Sequence, residues 1–561
     1  MLFCLCEVKA GLAGEFGYNS GVAVSRGVMS AGAWELLRRV ALVWAGLALA
    51  MAASACAQTA DFDLLIRGGV VFDGTGAPRR PADIGIKGDR IAQVGRISAS
   101  ATAARVIDAR GRFVAPGLID VHSHAGPEIG TAELAAALPA LYQGITTVVI
   151  NPDGGGPADI RPQLAQIRAV GPGVNVVPLI GHGALRAEVM GLADRKASPD
   201  DIARMQQLVR QAMDAGAFGL SAGPFYVPAK YSDTAEQVAV ARAAAAYPKA
   251  VYTSHIRDES SYDVGVLAAI DEVIAVAREA RMTGVVSHMK MLGADTWGKS
   301  AEAIRMIDAA RAQGVSVWAD QYPYDASAVS LSAALAPGWA LEGGATALAR
   351  RLAEPEQRAA IRAEMADNLV RRGGARTLLL RDADPALDGK RLDALARERG
   401  QDPLDAAIDI LLKRDVAVVS FNMSEADIEA IMKQPWVMTS TDGQIPALGV
   451  GPAHPRSYGS FPRKLRRYAI DRRVISLEQA IRSASGLAAE VFGLTDRGVI
   501  RAGAFADLIV FDPGKLRDTS TYEQPHAYAE GMDYILINGQ PALWEGKATA
   551  GRHGRVLSPT R

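Results

Sequence analysis

The sequence predicts an α/β protein: a TIM-like (β/α)8 barrel with a small β-sandwich domain built from the N- and C-terminal segments. Three observations predict this fold. The length of 561 residues exceeds one ordinary domain. Short strand patterns alternate with alanine-rich helical stretches through the middle of the chain, and glycine-punctuated strand patterns occupy both ends. Strand-helix alternation indicates a parallel sheet, and about eight such units close a barrel.

The two β-rich ends have the same sequence pattern. From 62 to 114, and again in 496–513 and 531–546, apolar strands are separated by glycine and Asp-Gly turn signals. Chain termini usually lie close together, so we expect both ends to form one domain. This predicts a sandwich from 58–115 and 491–561.

Between them, 116–490 is predicted to form the barrel, with a polar, arginine-rich insertion near 337–400. Its helical stretches include 201–216. Its strand patterns are TTVVI (146–150), VNVVPLI (174–180), AVYTSH (250–255), TGVVSH (283–288), VSVWAD (315–320), AVVSF (417–421) and WVMTST (436–441).

Residues 1–57 have the pattern of a signal peptide and leader. Arg38 and Arg39 precede the apolar run Val40–Ala55, which is shorter than the ~20 residues needed to span a bilayer. Cleavage after Ala57 would release a soluble protein, whereas cleavage before Cys56 would leave that cysteine free for a lipid anchor. We therefore expect an exported protein, periplasmic or extracellular, without a membrane span.

Composition narrows the function classes. Lysine plus arginine equals aspartate plus glutamate, at 61 each, with no sustained basic run, so we expect no nucleic-acid partner. The three cysteines, Cys4, Cys6 and Cys56, all lie at or before the expected cleavage region. A soluble mature chain would have no thiols, and any metal site would use imidazole and carboxylate.

Five metal-ligating side chains follow predicted strands. His122 and His124 close the run 115–124, and alternation along a strand puts both imidazoles on one face. His255, His288 and Asp442 each follow another strand pattern. The carboxyl ends of parallel barrel strands share one face, so the sequence predicts a metal site there.

For any one of these residues taken alone, a purely structural role is an alternative. An isolated histidine at a strand end is more often structural than a ligand, but five candidates with the same placement favour a metal site. His182 also follows a strand, in LIGHGALR, and both a structural role and a pocket role remain open.

A series of motifs resembles one family: 215–236, SHIRDE (254–259), SHMK (287–290), DQYPYDAS (320–327), TSTDG (439–443) and HPRSYGSFPRKL (454–465). In this order they resemble the D-aminoacylase (N-acyl-D-amino-acid deacylase) family of the amidohydrolase superfamily, over nearly the whole chain after the signal. The resemblance implies one or two Zn²⁺ ions per site, held by His122, His124, His255 and His288. It also implies that Asp442 is a metal-associated general acid/base.

The resemblance further implies that Lys290, Tyr322 and Arg456 bind the substrate carboxylate, with Ser327 as a possible fourth contributor. One position departs from the family. After GITTVV (144–149) the better-known members have a zinc-binding cysteine, where this chain has Asp153 in INPDGGG. A carboxylate there could ligate as a harder donor than thiolate, or Asp153 could be a turn residue.

The implied activity is zinc-dependent hydrolysis of the amide bond of N-acyl-D-amino acids, releasing a carboxylate and a D-amino acid. The alternatives are a dipeptidase for peptides with a C-terminal D-residue, another cyclic-amide amidohydrolase, and an inactive barrel retained as a scaffold. Cyclic amidases typically need a carboxylated lysine, which the strand after GITTVV does not offer. The expected partner is a small molecule, an N-acyl amino acid or a dipeptide.

Overall fold

The computed structural model describes residues 60–560, together with Gly32, Glu35 and Val40. The predictions about the signal peptide, its cleavage, the three cysteines and a lipid anchor at Cys56 lie outside the described residues. Within the described ranges, no helix combines the length and apolar character needed to cross a bilayer.

The strands, in chain order, are β1 (Phe62–Val71), β2 (Arg80–Lys87), β3 (Arg90–Gly95), β4 (Ala103–Asp108), β5 (Phe113–Pro116), β6 (Leu118–Asp120), β7 (Ile145–Ile150), β8 (Asn175–Pro178), β9 (Ile180–Gly181), β10 (Gly219–Ala222), β11 (Val251–Ser254), β12 (Thr283–Val286), β13 (Val317–Gln321), β14 (Ser327–Ser330), β15 (Leu378–Arg381), β16 (Ala417–Ser420), β17 (Val437–Thr439), β18 (Leu508–Phe511), β19 (Met532–Ile537), β20 (Gln540–Trp544) and β21 (Lys547–Ala548).

The α-helices are Gly126–Ile129, Leu138–Leu141, Ile160–Val170, His182–Met190, Pro199–Asp214, Thr234–Ala245, Val266–Ala280, Ser300–Ala312, Leu331–Leu335, Ala345–Ala353, Pro355–Arg371, Leu392–Arg399, Pro403–Leu411, Glu425–Met432, Arg456–Arg463, Leu477–Ala484 and Gly486–Val491. A π-helix spans Lys464–Asp471, and 3-10 turns occupy Ala229–Tyr231, Gly338–Leu341 and Ala375–Thr377.

The helix Pro199–Asp214 shows how local sequence sets these bounds. Ser198 and Asp201 form a reciprocal capping box, and the proline occupies the first turn, where its missing N–H costs nothing. Met205 and Val209 lie on its buried face at the i, i+4 spacing of an amphipathic helix. The helix therefore packs one apolar stripe against the barrel strands.

Strands from both ends of the described chain form one nine-stranded sheet, in the order β21-β20-β19-β18-β5-β1-β2-β3, with β4 beside β1. The antiparallel pair β5 and β18 joins the two ends. Edge strand β3 also touches the segment leading into β18, through the bridge Arg90↔Phe505. The sheet thus encloses an apolar cluster that includes Ile66, Ile84 and Leu508.

The middle of the chain forms the predicted parallel strands. β6, β7 and β8 pair in one sheet, and β9, β10, β11, β12, β13 and β17 pair in another. Only Leu179 separates β8 from β9, so these two short strands together occupy one position in the barrel. With β6, β7, β10, β11, β12, β13 and β17, the described strands fill eight barrel positions. At the remaining seam a single parallel bridge, Ser123↔Gly443, connects the first and last positions. The arrangement is a TIM-like barrel with one loosely bonded seam.

The prediction that AVVSF (417–421) is a barrel strand was wrong. Its residues form β16, which pairs antiparallel with β14 and β15 in a separate three-stranded sheet between β13 and β17. This sheet packs on helices around its own apolar cluster, which includes Leu352, Leu380 and Val418. Apolar alternation alone could not show which sheet the strand joins. The strand that completes the barrel, β10, has the sequence GLSA, which lacks β-branched residues.

A buried ion pair lies where the terminal sheet meets the barrel. The Asp507 carboxylate accepts hydrogen bonds from Arg497, from Asn175 Nδ2 at 3.2 Å and from the Asn538 backbone N–H at 2.7 Å. Arg497 and Asp507 are 5% and 3% exposed. Removing one partner of a buried pair leaves an uncompensated charge, which is strongly destabilising.

We therefore expect Arg497→Ala to lower the free energy of unfolding by about 3–5 kcal/mol, measured by urea denaturation. The matched control is Arg501→Ala, because Arg501 pairs with Asp496 while more than half of its side chain is exposed. An exposed pair contributes about 0–1 kcal/mol. Equal effects of the two variants would contradict the junction role of Arg497.

Candidate metal centre

Six potential ligands lie at one end of the barrel because each follows the carboxyl end of a parallel strand. They are His122 and His124 after β6, Asp153 after β7, His255 after β11, His288 after β12 and Asp442 after β17. All six had been singled out in the sequence, and the structure brings them together.

Their ligand atoms form two groups, each with all atoms within 4.8 Å of one another: His122, His124, Asp153 and Asp442, and Asp153, His255 and His288. Asp153 belongs to both. Its Oδ1 lies 3.2 Å from His122 Nε2 and 3.5 Å from His288 Nε2, and its Oδ2 lies 3.3 Å from His124 Nε2. The Asp153 carboxylate therefore stands between two sets of imidazoles.

Asp442 approaches the first group from the seam of the barrel. Its Oδ1 lies 3.2 Å from His124 Nε2 and 3.6 Å from His122 Nε2. Its Oδ2 accepts a hydrogen bond from Arg456 Nη1 at 2.7 Å. One oxygen is thus held by a guanidinium, and the other faces the imidazoles.

Unsatisfied atoms at the centre fit a metal ion. His122 Nε2, His255 Nε2 and Asp153 Oδ1 are buried and make no hydrogen bond within the described chain. Buried polar atoms normally have a partner, and a shared cation would supply one here. Imidazole nitrogen and carboxylate oxygen are both ordinary zinc ligands, so the donor set fits Zn²⁺.

Electrostatics also favours a cation at this position. Burial disfavours charge on the His124 ring, yet Asp153 and Asp442 outweigh it and raise the His124 pKa to about 9. For His288, burial and Lys290 lower the pKa, but Asp442, Glu259 and Asp153 raise it to about 10. The carboxylates thus create a field that attracts positive charge.

The backbone is strained at three of the site residues. Asp153, His288 and Asp442 have φ values of 56°, 35° and 49°. This left-handed region costs a non-glycine residue roughly 1–3 kcal/mol and is concentrated at functional sites. Here it turns the three side chains toward one point at the strand ends.

Buried acids hold these loops in place. Asp120 Oδ1 accepts the Thr441 backbone N–H at 2.9 Å, which ties the loop carrying Asp442 to β6. Burial raises the pKa of Asp120 to about 7, although hydrogen bonds from Thr441 oppose this shift. Asp320 Oδ1 likewise accepts the His288 backbone N–H at 2.9 Å.

Sequence reasoning missed Glu259, the last residue of SHIRDE. Its Oε1 lies 3.0 Å from His288 Nδ1 and accepts from Lys290 Nζ at 2.5 Å. Lys290 Nζ also lies 2.7 Å from His288 Nδ1. A carboxylate behind a ligating histidine fixes its ring orientation. The acid within a motif containing His255 was the available signal.

The centre opens into a cavity of about 410 Å³, which Lys290, Tyr322, Ser327 and Arg456 also line. Two cations lie near the Tyr322 ring, with Lys290 Nζ at 5.4 Å and Arg456 Cζ at 5.0 Å from its centroid. The structure therefore places all the predicted substrate-binding residues around the cavity beside the metal centre.

His182 lies outside the set of described residues that line this cavity. It is buried, and its Nε2 lies 2.9 Å from Glu236 Oε1, while Arg186 donates to the other oxygen of the same carboxylate. Of the two roles left open for His182, the structural one fits these contacts.

Known proteins share this architecture. Residues 105–542 match the Amidohydrolase family. The chain is 35% identical over 528 residues to a D-aminoacylase from Alcaligenes xylosoxydans xylosoxydans, covering 89% of this chain and 98% of the relative. A D-aminoacylase structure with a binuclear metal centre has a TM-score of 0.76 at 32% identity. The match covers 89% of this chain and 100% of that chain.

A second similar structure is an N-acyl-D-glutamate deacylase from Bordetella bronchiseptica, complexed with zinc and a phosphonate inhibitor that mimics the tetrahedral intermediate. Its TM-score is 0.76 at 33% identity, with 89% of this chain and 99% of that chain covered. Together with the clustered histidines and aspartates, these similarities define the chain as a metal-dependent hydrolase of the amidohydrolase family. Within it, the chain belongs to the D-aminoacylase family.

Proposed function

We propose that this protein hydrolyses the amide bond of N-acyl-D-amino acids with zinc, releasing a carboxylate and a D-amino acid. The observation that carries the proposal is Asp153, which belongs to both ligand groups and lines a cavity that cations also line. The similarity of the whole chain to deacylases of acylated D-amino acids supports the same chemistry and substrate class.

One zinc ion would be held by His122, His124, Asp153 and Asp442, and a second ion would be held by Asp153, His255 and His288. Bound zinc polarises an amide carbonyl and lowers the pKa of water towards ~7. Asp153 would belong to both ligand sets, at the position where the better-known members carry a cysteine.

Asp442 is the proposed general base and acid. Burial alone would raise the pKa of this carboxyl, but Arg456 and the surrounding histidines hold it well below its usual range. The group is therefore ionised at neutral pH and can accept the proton of the attacking water. It then delivers that proton to the departing amine nitrogen.

Lys290, Tyr322 and Arg456 are proposed to bind the substrate α-carboxylate, since they line the cavity beside the centre. A guanidinium suits a carboxylate because it donates parallel hydrogen bonds. Burial raises the pKa of Tyr322 to about 12, so its hydroxyl stays protonated as a donor. When the substrate's α-carboxylate and its scissile carbonyl are both held in place, the substrate side chain can point in only one direction for each enantiomer. The cavity would therefore accept one enantiomer.

We further propose export of the mature chain, because the apolar run Val40–Ala55 behind Arg38 and Arg39 has the pattern of a signal peptide. An exported enzyme of this specificity would act on small acylated D-amino acids or D-residue dipeptides outside the cytoplasm.

Matched pairs of N-acetyl-D- and N-acetyl-L-amino acids test the activity, with amine release followed in zinc-loaded and chelated protein. We expect turnover of the D series alone, and we expect it to require zinc. Equal turnover of both series would overturn the proposed stereospecificity. Failure to cleave either series, in protein confirmed to hold zinc, would overturn the proposed substrate class.

A further inference from the structure

The insertion contributes a third cation to the substrate cavity. Along β15, side chains alternate between two faces of the small sheet. Leu378 and Leu380 point into the insertion's own core, which puts Arg381 on the opposite face. In the antiparallel pairing of β15 with β16, Ala417 lies opposite Arg381. Both residues line the cavity of the metal centre.

Arg381 is poorly neutralised by the protein. It is 5% exposed, and its Nε makes no hydrogen bond within the described chain. Its Nε lies 3.4 Å from Asp388 Oδ1, but about a third of the Asp388 side chain faces solvent. By contrast, Lys290 has the buried partner Glu259, and Arg456 has the buried partner Asp442.

The surroundings of Arg381 suit a short acidic side chain. Val419, which lies on the same face of β16 as Ala417, gives the cavity an apolar wall that methylene groups could contact. His454, also in the lining, has a pKa well below its usual range because of burial, with the charges of Arg456 and Arg381 adding to the shift. Arg381 and Arg456 line the same cavity, and a substrate with two carboxylates could contact both.

We propose that Arg381 determines specificity by binding a second carboxylate, in the side chain of an N-acyl-D-glutamate or N-acyl-D-aspartate substrate. This inference rests on the proposed function, and it adds a substrate class to it. A buried guanidinium without a full partner favours an anion over a neutral group of the same shape, because only the anion neutralises it.

The test compares kcat/KM for N-acetyl-D-glutamate and N-acetyl-D-glutamine, which have nearly the same shape and differ in charge. We expect the unmodified protein to prefer the glutamate by about 10- to 100-fold, the range of a hydrogen bond to a charged group. Arg381→Gln should remove this preference by lowering kcat/KM for the glutamate, with turnover of the glutamine nearly unchanged.

Arg414→Gln is the matched control, because Arg414 pairs with Asp382 next to Arg381 but lies outside the described residues that line the cavity. It should keep the preference. A preference that survives in Arg381→Gln, or that is absent from the unmodified protein while neutral D-substrates are cleaved, would overturn the role of Arg381. Absence of turnover for every N-acetyl-D-amino acid would overturn the proposed function and this inference with it.

Discussion

Asp442→Asn is expected to lower kcat by about 10²- to 10⁴-fold, the contribution of a positioned general acid/base. The asparagine side chain has the same shape but cannot accept the water proton. His122, His124 and Asp153 remain to hold the first ion, and the second group is untouched. Zinc content measured on the purified variant should therefore stay close to that of the unmodified protein.

The control for this variant is Asp271→Asn, since Asp271 is an exposed residue of the helix Val266–Ala280. It should keep full activity. Near-normal turnover in Asp442→Asn would remove Asp442 from the mechanism. Loss of zinc along with activity would instead make Asp442 chiefly a ligand.

Asp153→Asn is expected to abolish turnover by weakening zinc binding. We expect affinity to fall by more than ~100-fold, beyond the ~10–100-fold lost when only a supporting residue is removed. Asparagine tolerates the left-handed φ of 56° at this position, so the loop should keep its shape. Isothermal titration of the metal-free variant with Zn²⁺ measures the loss.

Asp153→Cys provides the matched substitution, because it introduces the thiolate that the better-known family members carry. We expect zinc binding and turnover to return, since thiolate is a good zinc ligand. If Asp153→Asn instead binds zinc normally and remains active, Asp153 is only a turn residue of its loop.

The sequence was sufficient for much of the fold, because the parallel strands repeat a local pattern of β-branched residues followed by helices. It failed where the pattern was not local. GLSA (219–222) forms β10 without strand-like composition, since both its neighbours in the sheet stabilise it. AVVSF has strand composition, but only tertiary pairing decides that it joins β14 and β15.

Much of the candidate site was also predictable, for a physical reason. Ligands at strand ends can be found by position, since parallel strands bring those ends together. Glu259 and Arg381 were missed because their roles depend on contacts across the cavity. Arg381 ends an apolar strand and lies 54 residues after Ser327, the last residue of the nearest motif, and nothing in the sequence shows which face it occupies.

The most direct test of the central claim is a zinc titration of metal-free protein, with bound metal and N-acetyl-D-amino acid turnover measured on the same samples. We predict that activity appears as zinc fills the centre, with at most two ions bound per chain. Full activity in protein shown to be free of metal would contradict the account, as would zinc binding that Asp153→Asn leaves unchanged.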